Sequence, residues 1–272
     1  MKYRAIASDL DGTLFNSKMR LSEENLKAIE EISRLGVEFV PTTGRTLAEM
    51  SPVLLENPNI RYVIYSNGSG IWDKKKNEHT YACISKDLAS KILDILAHYE
   101  VHITVRANGK TFINAKTQSK EMREYNRVSC YHGQVLDNHA ERVDDFDAFL
   151  RSLDKVEVFS VFFHSDEEYA ECRKALSEVS EVSFVTTLAH NYEIFSAKSG
   201  KANAISALAK LLGASTDEII SVGDSHNDMT MIRAAGLGLA TANANEDLKR
   251  AAKGIICSND EHIAKYILEN IL

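Results

Sequence analysis

Apolar residues recur in two rhythms along this chain, and the rhythm changes twice. Over the first eighty residues, short apolar runs alternate with stretches of helical spacing. Residues 2–8 read as a strand. Ser22 is an N-cap for a helix that carries Leu26, Ile29 and Ile32 on one side and stops at Gly36. Residues 37–41 read as a short buried strand, 46–56 as a second helix and 62–65 as a third strand. Strands separated by helices predict a parallel, helix-covered sheet.

From about residue 84 the pattern is different. A helix over 87–99 is followed by strands near 102–106 and 110–114 and by a polar, helix-leaning stretch to 126. Then come a helix near 144–153, a strand at 156–163, a helix at 167–179 and strands near 182–187 and 192–195. The polar stretch 74–79 reads as an entry linker, and hinges are expected near 74–81 and 187–191. The end returns to the first rhythm: helices at 200–212, 228–235, 246–252 and 261–272 alternate with strands at 218–222, 237–240 and 255–257. The expected fold class is α/β: a Rossmann-like parallel sheet with helices on both faces, built from 1–82 and 190–272. An inserted α+β cap occupies 83–189.

Composition narrows the function. The chain has 272 residues, 44% of them hydrophobic, enough for a packed core. A net charge of −7 and a pI of about 5.8 argue against a nucleic-acid binder, which needs a basic stripe. Lys74-Lys75-Lys76 is a brief basic cluster that reads as a solvated turn. Cys83, Cys130, Cys172 and Cys257 are scattered, without zinc-site spacing, and predict reduced thiols in the cytoplasm. The N-terminus enters its first strand without a signal peptide, and no apolar run approaches a membrane span. A monomer or weak dimer is expected.

The chemistry concentrates at Asp9-Leu10-Asp11-Gly12-Thr13, directly after the first strand. In an extended strand, residues i and i+2 share a face, so these carboxylates are predicted to crowd each other. A divalent cation would offset the repulsion, and so would a proton on one carboxyl while the other serves as nucleophile. A calcium loop is excluded, because Leu14, Phe15, Asn16 and Ser17 lack the further acidic ligands. Three more polar clusters follow predicted strands: Thr42-Thr43-Gly44-Arg45, Ser66-Asn67-Gly68 and Gly223-Asp224-Ser225-His226-Asn227-Asp228. Ligands of open parallel sheets bind beyond the C-terminal strand ends, so four such clusters make one site. Together they suit phosphoryl transfer. Asp9 can be the nucleophile and Asp11 the acid for the leaving oxygen. Asp224 and Asp9 offer hard ligands for Mg²⁺, and Thr43 with nearby amides can donate to phosphate oxygens. A lysine must add positive charge; Lys201 and Lys198 both lie nearby.

Taken together, Asp9-Leu10-Asp11-Gly12-Thr13, Thr43-Gly44-Arg45, Asn67-Gly68, Lys201 and Gly223-Asp224-x-x-Asn227-Asp228 resemble the haloacid dehalogenase-like phosphatases. The similarity is to the Cof-type group, which carries a large α+β cap between its second and third motifs. It covers almost the whole chain, including Asn243-Ala244 and Ser258-Asn259-Asp260. The resemblance implies Asp9 as nucleophile, Asp11 as acid/base, Thr43 in a phosphate hydrogen bond and Lys201 as the lysine that neutralises phosphate and nucleophile. It implies Mg²⁺ on Asp9, the Asp11 carbonyl and Asp224, with Asp228 behind the metal. Gly44, Asn67, Asn227 and Arg45 would complete the phosphate site, although Arg45 is equally suited to pairing with a carboxylate, and Asn67 to a turn. Asp11 also implies turnover to free phosphate, since the family's pumps lack an acid at that position. His226 and Thr241 depart from the residues common in the family.

The implied activity is hydrolysis of a small phosphorylated metabolite: a sugar phosphate, a nucleotide or a phosphorylated vitamin. The alternatives are a phosphomutase on hexose phosphates and a non-catalytic sensor of a phosphorylated ligand. Arg106, Asn108, Lys110 and Asn114 on a strand pair, with His190 and Asn191, are the polar cap residues placed to meet a substrate.

Overall fold

The computed structural model describes residues 2–186 and 189–272, apart from the side chains of 131 and 132. The chain forms two compact units. The first comprises 1–44, 50–81 and 200–272; the second comprises 45–49 and 82–199.

The first unit is built on a five-stranded parallel sheet in the order Gly254–Ile255, Leu237–Ala240, Ile219–Gly223, Ala5–Ser8, Glu38–Pro41. Ala5–Ser8 is an interior strand, paired on both edges and buried throughout, because its small and β-branched residues pack on both faces. Ala5 and Ala7 face helices Lys201–Leu211 and Met229–Ala234 across Ile205, Leu208 and Ile232. Helices Glu23–Arg34 and Ile263–Asn270 pack on each other. Ser22 caps the first of these, accepting from the Asn25 amide at 3.2 Å, and Gly36 (φ 78°) follows its end.

Buried Asn25 then joins three distant points. Its Nδ2 donates to Leu14 O at 3.3 Å, and its Oδ1 accepts from the Ala264 amide at 2.9 Å. Asn25→Ala would leave two buried backbone groups without partners. Urea denaturation is expected to show a loss of roughly 2–3 kcal/mol; a change below about 0.5 kcal/mol would mean these bonds carry no net stability.

The strand Tyr62–Tyr65 does not simply extend the parallel sheet. It begins a three-stranded antiparallel sheet with Gly70–Asp73 and Glu78–Tyr81, tied to the strand before it by one parallel bridge, Thr42 to Ile64. The expected linker at 74–79 is therefore the turn and outer strand of a hairpin. That outer strand is polar and mostly exposed, so it lacks the alternation that marks a half-buried strand. The helix expected over 46–56 is a single 3₁₀ turn, Leu47–Glu49, and a short helix, Pro52–Leu55. Pro52 at the first turn of the latter prevents one continuous helix.

The second unit contains a six-stranded sheet in the order Val182–Val185, Asn191–Ser196, Val158–Phe163, Val101–Ala107, Lys110–Asn114, Ala140–Val143. All neighbours are antiparallel except the last pair. Helices Lys86–Leu96, Phe146–Ser152 and Asp166–Ser177 bury one face with Ile92, Leu96, Val105, Phe159, Val161, Leu150, Leu176 and Ile194. Helix Cys130–His139 and strand Ala140–Val143 were not expected from the sequence; the helix has a weak apolar stripe and the strand a polar edge. Residues 190–199, expected with the core, belong to this unit, because Asn191–Ser196 pairs with strands on both sides. Thr187, at the end of the expected strand 182–187 and in the expected hinge 187–191, lies outside the described residues.

Candidate active site

The site is assembled within the first unit at the C-terminal ends of its strands. Asp9 directly follows Ala5–Ser8, and its amide donates to Val222 O at 3.0 Å. The chain then turns tightly through Leu10–Leu14. Asp9 and Asp11 are therefore not neighbours on one strand face. The crowding of carboxylates is real but has another source, because Asp224 and Asp228 converge on Asp9.

Gly12 makes that convergence sterically feasible. It sits at φ 77°, and a Cβ there would lie 2.5 Å from Asp224 Oδ2. Thr13 Oγ1 donates to Asp224 Oδ1 at 2.9 Å, and Asn243 Nδ2 donates to Gly12 O at 2.7 Å. The Asn259 amide in turn donates to Asn243 Oδ1 at 2.9 Å. Thr13 and Asn243 therefore hold the turn and its carboxylate; neither was assigned a role from the sequence, although both stand in the stretches that carried the resemblance. Gly12→Ala is expected to push Asp224 aside and weaken divalent-cation affinity by roughly 10–100-fold, measured by calorimetric titration; an unchanged affinity would show that Asp224 does not depend on this turn.

Lys201 is the first residue of helix Lys201–Leu211 and is almost fully buried. Its Nζ donates to Asp9 Oδ1 and Asp228 Oδ1, each at 2.6 Å. Burial pulls the ammonium down, but the two carboxylates outweigh it, and its pKa is raised. Asp228 is held from the other side, its Oδ2 accepting from the Asp224 and Ser225 amides at 3.1 Å. Gly223 leaves room for this, since a Cβ there would lie 2.5 Å from the Asp228 side chain. Lys198 is exposed and belongs to the second unit, which leaves Lys201 as the lysine of this cluster.

The charges do not balance. Asp9, Asp224 and Asp228 can each bring an oxygen within 4.8 Å of the others, against one ammonium. Burial raises the Asp9 carboxyl well above its ordinary range, with Asp228 and Asp224 adding repulsion and Lys201 opposing. Burial and Asp228 push Asp224 up to about 6. A set of hard oxygens with surplus negative charge fits a small divalent cation such as Mg²⁺.

The phosphate-side residues meet on two loops. The Thr43 amide donates to Ile64 O, and the Asn67 amide donates to Thr43 O, both at 3.0 Å. Asn67 is buried at φ 53°, and a Cβ on Gly44 would come within 3.1 Å of its Oδ1. Gly68 (φ 86°) lies against Gly200, the residue before Lys201. Thr43, Gly44, Asn67 and Lys201 are thus brought to adjoining backbone. Asn227 lies half-buried beside Asp228, its Oδ1 accepting from Ser225 Oγ at 2.6 Å. Arg45 belongs to the second unit, where its Nη1 donates to Glu49 O at 3.1 Å. His226 is exposed, 3.9 Å from the Asp247 carboxylate.

The chain is similar to known proteins over almost its whole length. The sequence profile of haloacid dehalogenase-like hydrolases matches residues 6–267. The chain is 30% identical to the phosphatase YwpJ of Bacillus subtilis, over 99% of this chain and all of that protein. It is 28% identical to a 5-amino-6-(5-phospho-D-ribitylamino)uracil phosphatase of the same organism, over 99% of this chain and 96% of the relative. A haloacid dehalogenase-like hydrolase structure from B. subtilis superimposes with a TM-score of 0.80 at 28% identity, covering 99% of this chain and all of that one.

Proposed function

This chain belongs to the haloacid dehalogenase-like hydrolases, Cof-type, whose phosphatases use an aspartate nucleophile, and we propose that here Asp9 is that nucleophile and a small phosphorylated metabolite the substrate. The observation that supports this most is the Lys201 ammonium 2.6 Å from both Asp9 and Asp228, beside Asp224.

In the proposed reaction an Asp9 oxygen attacks phosphorus and the bond to the leaving oxygen breaks. Asp11 gives its proton to that oxygen, releasing an alcohol. It then takes a proton from water, whose oxygen attacks the phosphorus of the aspartyl phosphate, and Asp9 is regenerated as phosphate leaves. Lys201 neutralises Asp9 before attack and the phosphoryl oxygens during it. The Thr43 hydroxyl and the amides around Gly44 and Asn67 orient those oxygens, with Asn227 at the edge. Mg²⁺, held by Asp9, the Asp11 carbonyl and Asp224, would add charge neutralisation on the transferring phosphoryl group. Asp228 acts from behind, fixing Lys201 and the 224–225 amides.

A relative's name includes a phosphorylated ribityl compound, which favours a polyol or sugar phosphate among the candidates. The reading extends to a cytoplasmic location, supported by four cysteines held as thiols rather than disulfides. Phosphate release from a panel of phosphorylated metabolites, with and without Mg²⁺, tests it. Metal-dependent release is expected; none from folded, Mg²⁺-loaded protein would move the weight to a mutase or a ligand sensor.

A further inference from the structure

Asn243 and Ser258-Asn259-Asp260 lie in stretches that the family resemblance covers, yet no step of the proposed reaction uses them. They converge on the turn after Ala5–Ser8 from the other end of the chain. Within that turn the Leu14 amide donates to Asp9 O at 3.3 Å, and the Phe15 amide to Leu10 O at 2.8 Å. Three further carbonyls accept from asparagine side chains outside it. Asn243 Nδ2 reaches Gly12 O at 2.7 Å, Asn25 Nδ2 reaches Leu14 O at 3.3 Å, and Asn259 Nδ2 reaches Phe15 O at 3.0 Å. Just beyond, the Ser17 amide donates to Asp260 Oδ1 at 2.9 Å, and the Ser17 hydroxyl joins it in holding that carboxyl below its ordinary range.

Asn259 links the two arms of this clamp. Its own amide donates to Asn243 Oδ1 at 2.9 Å while its side chain holds Phe15 O. A 3₁₀ turn, Asn259–Glu261, sets it in place: Glu261 Oε2 accepts from the Ser258 amide at 2.9 Å and from the Ser258 hydroxyl at 2.7 Å. The loop that bears Asn243 is anchored on its other side, where the Thr241 amide donates to Gly223 O at 3.1 Å and the Asn245 amide to Asp224 O at 2.9 Å. The clamp thus ties the turn to the strand end that carries Asp224.

The two carboxylates at this turn are fixed differently. Asp9 is held by strand pairing, through its amide on Val222 O, and by Lys201 on its carboxylate. Asp11 stands beyond the strand's end, at φ −74° and ψ 118°, next to Gly12 at φ 77°. Glycine supplies that positive φ and offers the least resistance to rotation. A bond to Gly12 O restricts the rotation that would swing Asp11, and a bond to Phe15 O fixes the far end of the same arc. We propose that Asn243, Asn259 and Asp260 are positioning residues that aim Asp11 at the leaving oxygen. This rests on the phosphatase reading above and deepens its assignment of the proton donor. A misplacement of about 1 Å costs a reacting group on the order of 10²-fold in rate, so these solvent-facing bonds matter more to rate than to stability.

The test compares phenyl phosphate with p-nitrophenyl phosphate in wild type, Asn259→Ala and Asn243→Ala at saturating Mg²⁺. p-Nitrophenolate departs without a proton, whereas phenolate gains from one. kcat/KM reports the step in which the leaving group departs, ahead of the hydrolysis that both substrates share. Each variant is expected to lose at least about tenfold more kcat/KM on phenyl phosphate than on p-nitrophenyl phosphate. Amide hydrogen exchange over residues 10–17, followed in metal-free protein, is expected to quicken in both variants, while the melting temperature shifts by less than about 4 °C. Equal losses on the two substrates, no loss on either, or unchanged exchange would overturn the proposal and leave the phosphatase reading standing. Hydrolysis of neither compound by folded, Mg²⁺-loaded wild type would sink that reading and this proposal with it.

Discussion

Asp9→Asn is expected to reduce kcat by roughly 10⁴-fold or more, because an amide cannot form the acyl phosphate. The same substitution removes one of three crowded carboxylates around Lys201. The metal-free variant should therefore melt no lower than wild type, since Lys201 keeps its 2.6 Å bond to Asp228. The combination separates chemistry from folding. A kcat loss below about tenfold would remove Asp9 from the nucleophile's role; a large loss accompanied by unfolding would leave the loss unassigned to chemistry and count against the electrostatic account.

Lys201→Met has the opposite balance. Its ammonium is the cation that meets Asp9 and Asp228 directly. Removing one partner of a buried ionic cluster typically costs about 3–5 kcal/mol, because the carboxylates left behind are desolvated and unpaired. Stability measured with EDTA present should fall by that much, and kcat by a further ~10³-fold under folded conditions. Mg²⁺ should then stabilise the variant more than it stabilises wild type, since the cation would supply charge the protein has lost. Equal stabilisation of both would mean that Lys201 and the metal do not act on the same carboxylates.

The alternating core was legible because its strands are short apolar runs bounded by turn residues, and its helices carry single apolar stripes. Ser22 and Gly36 marked the first helix at both ends. The polar hairpin arm Glu78–Tyr81 and the edge strand Ala140–Val143 were not legible, because neither presents an alternating buried face. At the site, Asp9, Lys201, Asp224 and Asp228 do cluster, but the repulsion read between Asp9 and Asp11 assumed an extended chain that ends at Ser8. The crowding instead comes from Asp224 and Asp228, 215 and 219 positions later, brought in by strand pairing. Arg45 could not be placed from sequence, since Thr43 and Gly44 belong to one unit and Arg45 to the other. Partners were equally hidden: of the polar cap residues, Arg106 pairs with Glu193, Lys110 with Glu141 and His190 with Asp166, and Asn114 caps a 3₁₀ turn. Alternation reveals a two-faced strand but not what its polar atoms meet.

The pairing of Ala5–Ser8 with Ile219–Gly223 sets an order of events during synthesis. The strand that ends at the Asp9 turn leaves the ribosome early, but one of its two edges has no partner until more than two hundred further residues have been made. At ordinary elongation rates that interval is about 10–40 s. Meanwhile the second unit, nearly all of it one continuous stretch, can complete its own long-range pairing first. The nascent chain thus carries a folded middle and an apolar, half-paired beginning, which is the state in which strand edges invite wrong partners. Slow release of the last seventy residues would prolong that exposure, so the yield of this protein should depend on how fast its C-terminal quarter is translated.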